Sequence, residues 1–401
     1  MTSEVLILTP SAVALAADSA VTIGGRKTYN GVNKVFMLSN DPPMGIMTYN
    51  LSNFSNVPLE TIIKEFRKEI KNEELCSVWD FKDKFVEFLN KLMEDSLYKY
   101  SFEKKVISFI NPFVLSKDSL DEMTFKKIIS DFPTDWDYTY LDEYSDDIIE
   151  NLNENNAKFI SAIPNYNNLD NQDEILESFK KFFAYKEFFE PDTGIVIAGF
   201  NKNRLFPSFL EFKITYLYDN KFIFKIGEHS DNVGNQVIVK PLAQGDVIDT
   251  FLGNMDNHTK IKLMDYVNDM YTRYGVTLKE AINNNSNLTD NEKLKFIDEV
   301  SKIESTNTIL NNSFENFLEQ LKQEHSQPIL DSISALPKEE LSNLCESLIK
   351  ITSIKRKVQT DLETVGGPID VAIITPGDGF IWTKRKHYFD GELNPQFFKR
   401  E

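Results

Sequence analysis

Residues 1–38 read MTSEVLILTPSAVALAADSAVTIGGRKTYNGVNKVFML, with a threonine directly behind the initial methionine and an apolar run, Val5 to Leu8, directly behind that. Chain ends that make no contacts stay frayed. A run sequestered this early would pin the amino terminus to the fold, where its groups can do chemistry. The run has no basic segment ahead of it, as a secretory leader would.

The chain has 401 residues, 41% of them apolar, enough for a large core. Its 44 basic and 62 acidic residues leave a net charge of −18. That field repels nucleic acid and anionic membrane, so neither is expected as a partner. No window approaches the roughly 20 apolar residues of a membrane span, and a cytoplasmic location is expected. Cys76 and Cys345 sit far apart in helix-like patterns and read as small core residues of a reducing compartment. His229, His258, His325 and His387 share no metal-ligand spacing, so no metal is expected. TIGGRK, at 22–27, lacks phosphate-loop spacing, and no organic cofactor is expected either. The basic run KITSIKRK, Lys350 to Lys357, reads as a solvated helix face.

Strands and helices come in blocks. Residues 4–18 and 34–50 are dense in apolar residues and broken by Pro10, Gly31 and the DPP at 41–43. Such continuous runs predict strands covered on both faces. LETIIKEFRKEI, 59–70, has helical spacing, with Ile62, Ile63, Phe66 and Ile70 on one side. An acidic, aromatic, helix-rich section follows, including DEYSDDIIENLNENN at 142–156, a solvated helix and loop. Strand character returns at TGIVIAGF (193–200), FLEFKITYLY (209–218) and KFIFKIG (221–227). A polar helical section runs on to a helix near Pro337, with Leu341, Leu344, Leu348, Ile351, Ile354, Val358 and Leu362 at helical spacing. GGPIDVAIIT (366–375) and GFIWTK (379–384) are further strand candidates. Long helical sections between strand blocks argue for an interrupted sheet core, against the short alternation of a doubly wound sheet.

Thr2, Asp18 and Lys34 recur at intervals of sixteen residues. With ALAADSA at 14–20 and NKVFML at 33–38, this segment resembles the proteasome β subunits and their bacterial relatives, the N-terminal-nucleophile (Ntn) hydrolases. The resemblance covers about 1–71, 190–253 and 337–385. It implies an α+β fold, a four-layer αββα Ntn-hydrolase sandwich, as one discontinuous domain over 1–401 with helical insertions at 72–189 and 254–336. It also implies a threonine hydrolase cleaving a peptide or other amide bond, without a cofactor. Thr2 would be the nucleophile once Met1 is removed, with Asp18 and Lys34 beside it and the backbone N–H of Tyr49, in GIMTYN (45–50), meeting the oxyanion. The family carries a glycine pair at that turn; this chain has Tyr49 and Asn50. Asp246 in AQGD (243–246) and Asp361 in DLETVGG (361–367) stand nearest the family's supporting polar positions, where the family's serines are missing.

The chemistry has a physical basis of its own. A threonine hydroxyl needs a base, and a free α-amine with an unperturbed pKa of about 7.7–8.0 supplies one at working pH. A lysine ammonium nearby favours the neutral amine and developing negative charge at Oγ, and an aspartate holds that ammonium. Blander readings stand alongside. Thr2 permits methionine removal whatever its role, Asp18 and Lys34 could form a structural pair, Asp246 could cap the helix that follows it, and Gly366 and Gly367 could be turn residues. Two alternatives to the threonine hydrolase are carried: a non-catalytic proteasome-like subunit serving assembly or partner binding, and a small-molecule amidase of the same superfamily. A homo-oligomer and a regulatory protein partner are further expectations of the resemblance.

Overall fold

The computed structural model describes residues 3–23, 27–54, 57–92, 106–114, 127, 152–189, 193–216, 222–253, 257–305, 308–358 and 366–396. Ten strands build two antiparallel sheets: β1 (Ser3–Thr9), β2 (Ala12–Ala17), β3 (Val35–Asn40), β4 (Pro43–Asn50), β5 (Thr193–Gly199), β6 (Ser208–Tyr216), β7 (Phe222–Ser230), β8 (Ile238–Ala243), β9 (Asp370–Thr375) and β10 (Gly379–Lys384). The first sheet has the order β8-β1-β2-β9-β10 and the second β7-β6-β5-β4-β3. Mixed helix and antiparallel strand make the chain α+β.

β1 explains the layering. All seven of its residues are buried, so both of its faces must be covered. Val5 and Ile7 pack, with Ala12, Ala14 and Ala16 of β2, against Leu341, Cys345, Leu348 and Ile349 of a helix over Lys338–Val358. The alanines on that face let the helix approach closely. Leu6 and Leu8 point the other way, onto Met47, Tyr49, Val196 and Ala198 of the second sheet. The far face of the second sheet is covered by α1 (Leu59–Glu69) and α2 (Val78–Leu92), whose Ile62, Ile63, Phe66, Phe81 and Phe85 meet Ile46, Ile195, Ile197, Leu210 and Phe212. The described layers thus run helix, sheet, sheet, helix. Residues 78–92, within the first stretch expected as an insertion, belong to this packing.

Outside the sandwich, residues 106–114 and α3 (Asn156–Ala162) close on α4 (Gln172–Phe189) around Phe109, Phe159, Phe179 and Phe183. Helices α5 (Asp246–Phe251), α6 (Asn257–Asn283), α7 (Asp290–Ser305), α8 (Thr308–Ser334) and α9, the Lys338–Val358 helix, complete the described elements used below. Of the acidic run at 142–156, positions 142–151 lie outside the described residues.

Two expectations are corrected. QVIVKPLA was not anticipated as a strand, yet β8 pairs with β1 over Ser3↔Ala243 to Leu8↔Ile238. Pro241 is tolerated because β8 is an edge strand. The stripe anticipated in α9 ends early: Leu341 and Leu348 are buried, but Ile351, Ile354 and Val358 are exposed. Cys345, Ile349 and Thr352 continue the buried face instead, and Leu362 lies outside the described residues.

Gly194 of β5 sits opposite Tyr49 of β4, and a Cβ on Gly194 would fall inside the Tyr49 ring. Gly194→Ala is therefore expected to lose about 3 kcal/mol by overpacking, measured by urea unfolding, and its loss should be less than additive with that of Tyr49→Ala in the double variant. A single variant within about 0.5 kcal/mol of the parent would refute the packing.

Candidate functional site

The sheets meet most closely in polar chemistry at the start of β1. Asp18 follows β2 directly and Lys34 precedes β3 directly, so two strand ends bring together residues sixteen apart. The Lys34 Nζ donates a hydrogen bond to Asp18 Oδ1, and Glu4 Oε1 lies 3.2 Å from the same Nζ. All three residues are buried. Strand alternation accounts for Glu4: it has the parity of Leu6 and Leu8, so it points between the sheets.

Asp18 is held on every side. Its Oδ1 accepts the Ser3 N–H at 3.3 Å, its Oδ2 accepts the Gly366 N–H at 2.9 Å, and its own N–H donates to the Ser3 carbonyl at 3.1 Å. The Ser19 N–H donates to the Gly366 carbonyl at 3.2 Å, and the Ser19 hydroxyl donates to the Pro368 carbonyl. Gly367, at φ +78°, turns the chain through the left-handed region that glycine adopts freely. Its neighbour Gly366, anticipated only as a turn residue, fixes the Asp18 carboxylate by its backbone. The Lys34 carbonyl accepts the Thr48 N–H at 2.9 Å, tying the lysine to β4.

A second tier of buried polar groups surrounds the trio. Asp370, paired with Ala17 across the first sheet, binds Lys386 through both the lysine N–H at 2.8 Å and its Nζ. Burial holds the Lys386 ammonium below the ordinary lysine range in spite of that carboxylate, and the Lys34 charge lowers it further. On the side of the second sheet, the Tyr49 phenol donates to Glu211, and Lys240 lies 3.0 Å from the same carboxylate. Burial first, then Glu211, push the phenol well above its usual pKa, and the charge of Glu4 acts in the same direction. Burial raises the Glu211 carboxyl, but the Tyr49 hydrogen bond and Lys240 outweigh it and leave the group below its ordinary value.

The anticipated residues therefore divide. Asp18 and Lys34 are together. Tyr49 is on β4 with its ring over Gly194, followed by Asn50 in the left-handed region at φ 70°, where the resembled family has glycine. Asp246 binds Lys355 at 2.7 Å and Arg356 of α9; it is the first residue of α5, with Gly245 at the N-cap, which corrects the capping alternative. The same contacts correct part of the solvated-face reading of 350–357, since Arg356 also donates to Gln244 at 2.6 Å. Thr2 and Asp361 lie outside the described residues. Glu4 and Lys386 were missed. A lone glutamate on the inward parity of an apolar strand is the signal that finds the first; nothing local marks the second.

Among the described residues no group of three or more His, Cys, Asp or Glu could hold a metal ion, and no helix is long and apolar enough to cross a membrane. What the trio can do is present an oriented ammonium. Lysine has three N–H donors; Asp18 accepts from one, and Glu4 stands within ion-pair distance of the same ammonium.

Replacing Lys34 by Met leaves two buried carboxylates without their cation, a change expected to cost about 3–5 kcal/mol. Urea unfolding should show that loss, and adding Glu4→Gln to Lys34→Met should recover part of it. A Lys34→Met protein as stable as the parent would contradict the buried pairing.

No family model matches the chain, and no curated protein matches it. Among solved structures, the Anbu (ancestral beta-subunit) from Yersinia bercovieri aligns over 99% of this chain and 93% of that chain, at 8% identity and a TM-score of 0.31. A likeness this slight carries no weight for function.

Proposed function

We propose that the chain is a threonine hydrolase of the Ntn type, in which removal of Met1 frees the α-amine of Thr2 and that residue cleaves a peptide or other amide bond. One observation carries the reading: the buried Asp18–Lys34 pair lies at the start of β1, its carboxylate accepting the N–H of Ser3. That nitrogen is bonded to the carbonyl carbon of Thr2, which supports reading the three evenly spaced residues as one site. The helix–sheet–sheet–helix order of the described layers agrees with an Ntn sandwich, and assembly into a homo-oligomer belongs to the same proposal.

The chemistry follows from the groups. The Thr2 Oγ attacks the substrate carbonyl carbon while its proton passes to the Thr2 α-amine. Lys34, oriented by Asp18, stabilises the negative charge that develops at Oγ. The amine returns the proton to the leaving nitrogen as the C–N bond breaks, leaving an ester on Thr2. Water, deprotonated by the same amine, then hydrolyses the ester and restores the hydroxyl. With Met1 attached the Thr2 nitrogen is an amide and has no basic lone pair, so processing is required.

Glu4 gives the second reading, a non-catalytic subunit, its specific support. A second buried carboxylate on Lys34 favours a cationic partner, and so opposes the neutral amine that catalysis needs. The two readings separate in one pair of variants. If the chain is an enzyme, Glu4→Gln lowers the amine pKa and moves the acid limb of the pH–rate profile to lower pH. Thr2→Ala abolishes turnover, by a factor of about 10³ or more, with unfolding unchanged. A protein that intact mass shows to begin at Thr2, and that turns over no amide substrate and takes no adduct from an electrophile selective for amino-terminal threonine, would refute the hydrolase and leave the scaffold.

A further inference from the structure

A cavity of about 930 Å³ opens between α1, the turn joining β3 to β4, and the chain leaving β10. Its lining is basic in a chain of net charge −18. Lys64, Arg67, Lys68, Lys71 and Arg385 face it, against Asp41 and Glu73. Glu73 is already engaged by Lys84 at 3.2 Å.

Two of these cations are unusual in being sheltered. Arg67 and Arg385 are half-buried, and among the described residues neither has an ion pair. Lys64 and Lys68, by contrast, are exposed and bonded to Glu60 and Glu65 of their own helix. A guanidinium does not deprotonate in proteins, so burial cannot be relieved by losing the charge. Burial pushes both groups below the ordinary arginine range; the Arg385 charge lowers Arg67 further, while the charges of Asp370 and Glu60 only partly offset the burial of Arg385. Two half-buried guanidiniums lining one cavity, with no ion pair among the described residues, are a cost to folding that a bound anion would offset.

The rest of the wall indicates what the anion is attached to. The Arg385 guanidinium stacks on Trp382, 4.2 Å from the ring centroid. Leu38, Ile70, Leu75 and Phe81 give the cavity an apolar floor. A volume of this size is that of a site for a whole small molecule, larger than a lone phosphate needs.

We propose that this cavity binds a nucleoside phosphate, with Arg67 and Arg385 on the phosphate oxygens and Trp382 and the apolar floor against the base. The site does not depend on the Thr2 reading, since none of its contacts involves Asp18 or Lys34. It does share a backbone segment with that site: Arg385 faces the cavity while the next residue, Lys386, binds the buried Asp370. Occupancy thus has a short covalent route to the inter-sheet cluster.

The test is calorimetric titration of the full chain with ADP, pyrophosphate and adenosine in low-salt buffer. ADP is expected to saturate one site, pyrophosphate to bind the same site at least tenfold more weakly, and adenosine to bind more weakly still. Arg67→Gln and Arg385→Gln should each weaken ADP by roughly tenfold to a hundredfold, while Arg67→Lys retains part of the affinity. Circular dichroism and unfolding midpoints of the variants must match the parent for the comparison to count; Lys71→Gln, at an exposed position on the rim, provides a second, milder variant, expected to weaken ADP a fewfold. Absence of saturable ADP binding up to about 10 mM, or parent-like ADP affinity in both arginine variants, would overturn the site. Pyrophosphate binding as tight as ADP would overturn the role given to Trp382 and the floor.

Discussion

A lysine ammonium enclosed between two carboxylates, and shut away from water, sets the terms for the rest of this molecule. Lys34, Asp18 and Glu4 are all buried. Charges this sheltered persist only when paired and hydrogen-bonded, because losing one partner leaves an uncompensated charge in a poor solvent. The pairing therefore dictates backbone geometry. Asp18 must leave β2 where the Ser3 and Gly366 N–H groups can reach its two oxygens, and Lys34 must enter β3 with its carbonyl against Thr48. Three separate chain segments converge on one carboxylate.

The sandwich supplies the dry surroundings that make such a cluster consequential. β1 and β2 are covered on one face by α9 and on the other by the second sheet. Polar groups on the inward face collect near the start of β1, where Tyr49, Glu211 and Lys240 extend the network across to the second sheet. Further along the strands the same face turns apolar, with Leu8, Val13 and Ala198 in contact. The inter-sheet space is thus divided into a cohesive interior and a charged end, and the amino-terminal segment leaves β1 at the charged end.

Much of this was legible in the sequence because local pattern and long-range geometry agreed. Uninterrupted apolar runs at Val5–Leu8 and Val13–Ala17 announce two-sided burial, and Ile62, Ile63 and Phe66 announce one buried helical face. The equal spacing of Thr2, Asp18 and Lys34 singled out residues of which Asp18 and Lys34 meet in space. Failures came where a tertiary partner overrode local signal. Pro241 hides β8, which is viable only as an edge. Asp246 reads from the sequence as a cap, but Gly245 takes that position, and Lys355 and Arg356, more than a hundred residues on, claim the Asp246 carboxylate. Ile351 and Ile354 keep helical spacing but stand on the exposed side of α9, whose buried face runs through Cys345, Ile349 and Thr352. Lys386 is one lysine among many until Asp370 is seen beside it.

The central claim, that the Asp18–Lys34 pair serves a hydroxyl at the amino terminus, is tested most directly by a crystal structure of the chain processed to begin at Thr2. The Thr2 Oγ is expected within about 3 Å of the Lys34 Nζ, with Asp18 still bonded to that ammonium and Glu4 still within ion-pair distance of it. A Thr2 side chain turned away from the space between the sheets, or a third protein group on Lys34 where the hydroxyl should be, would contradict it.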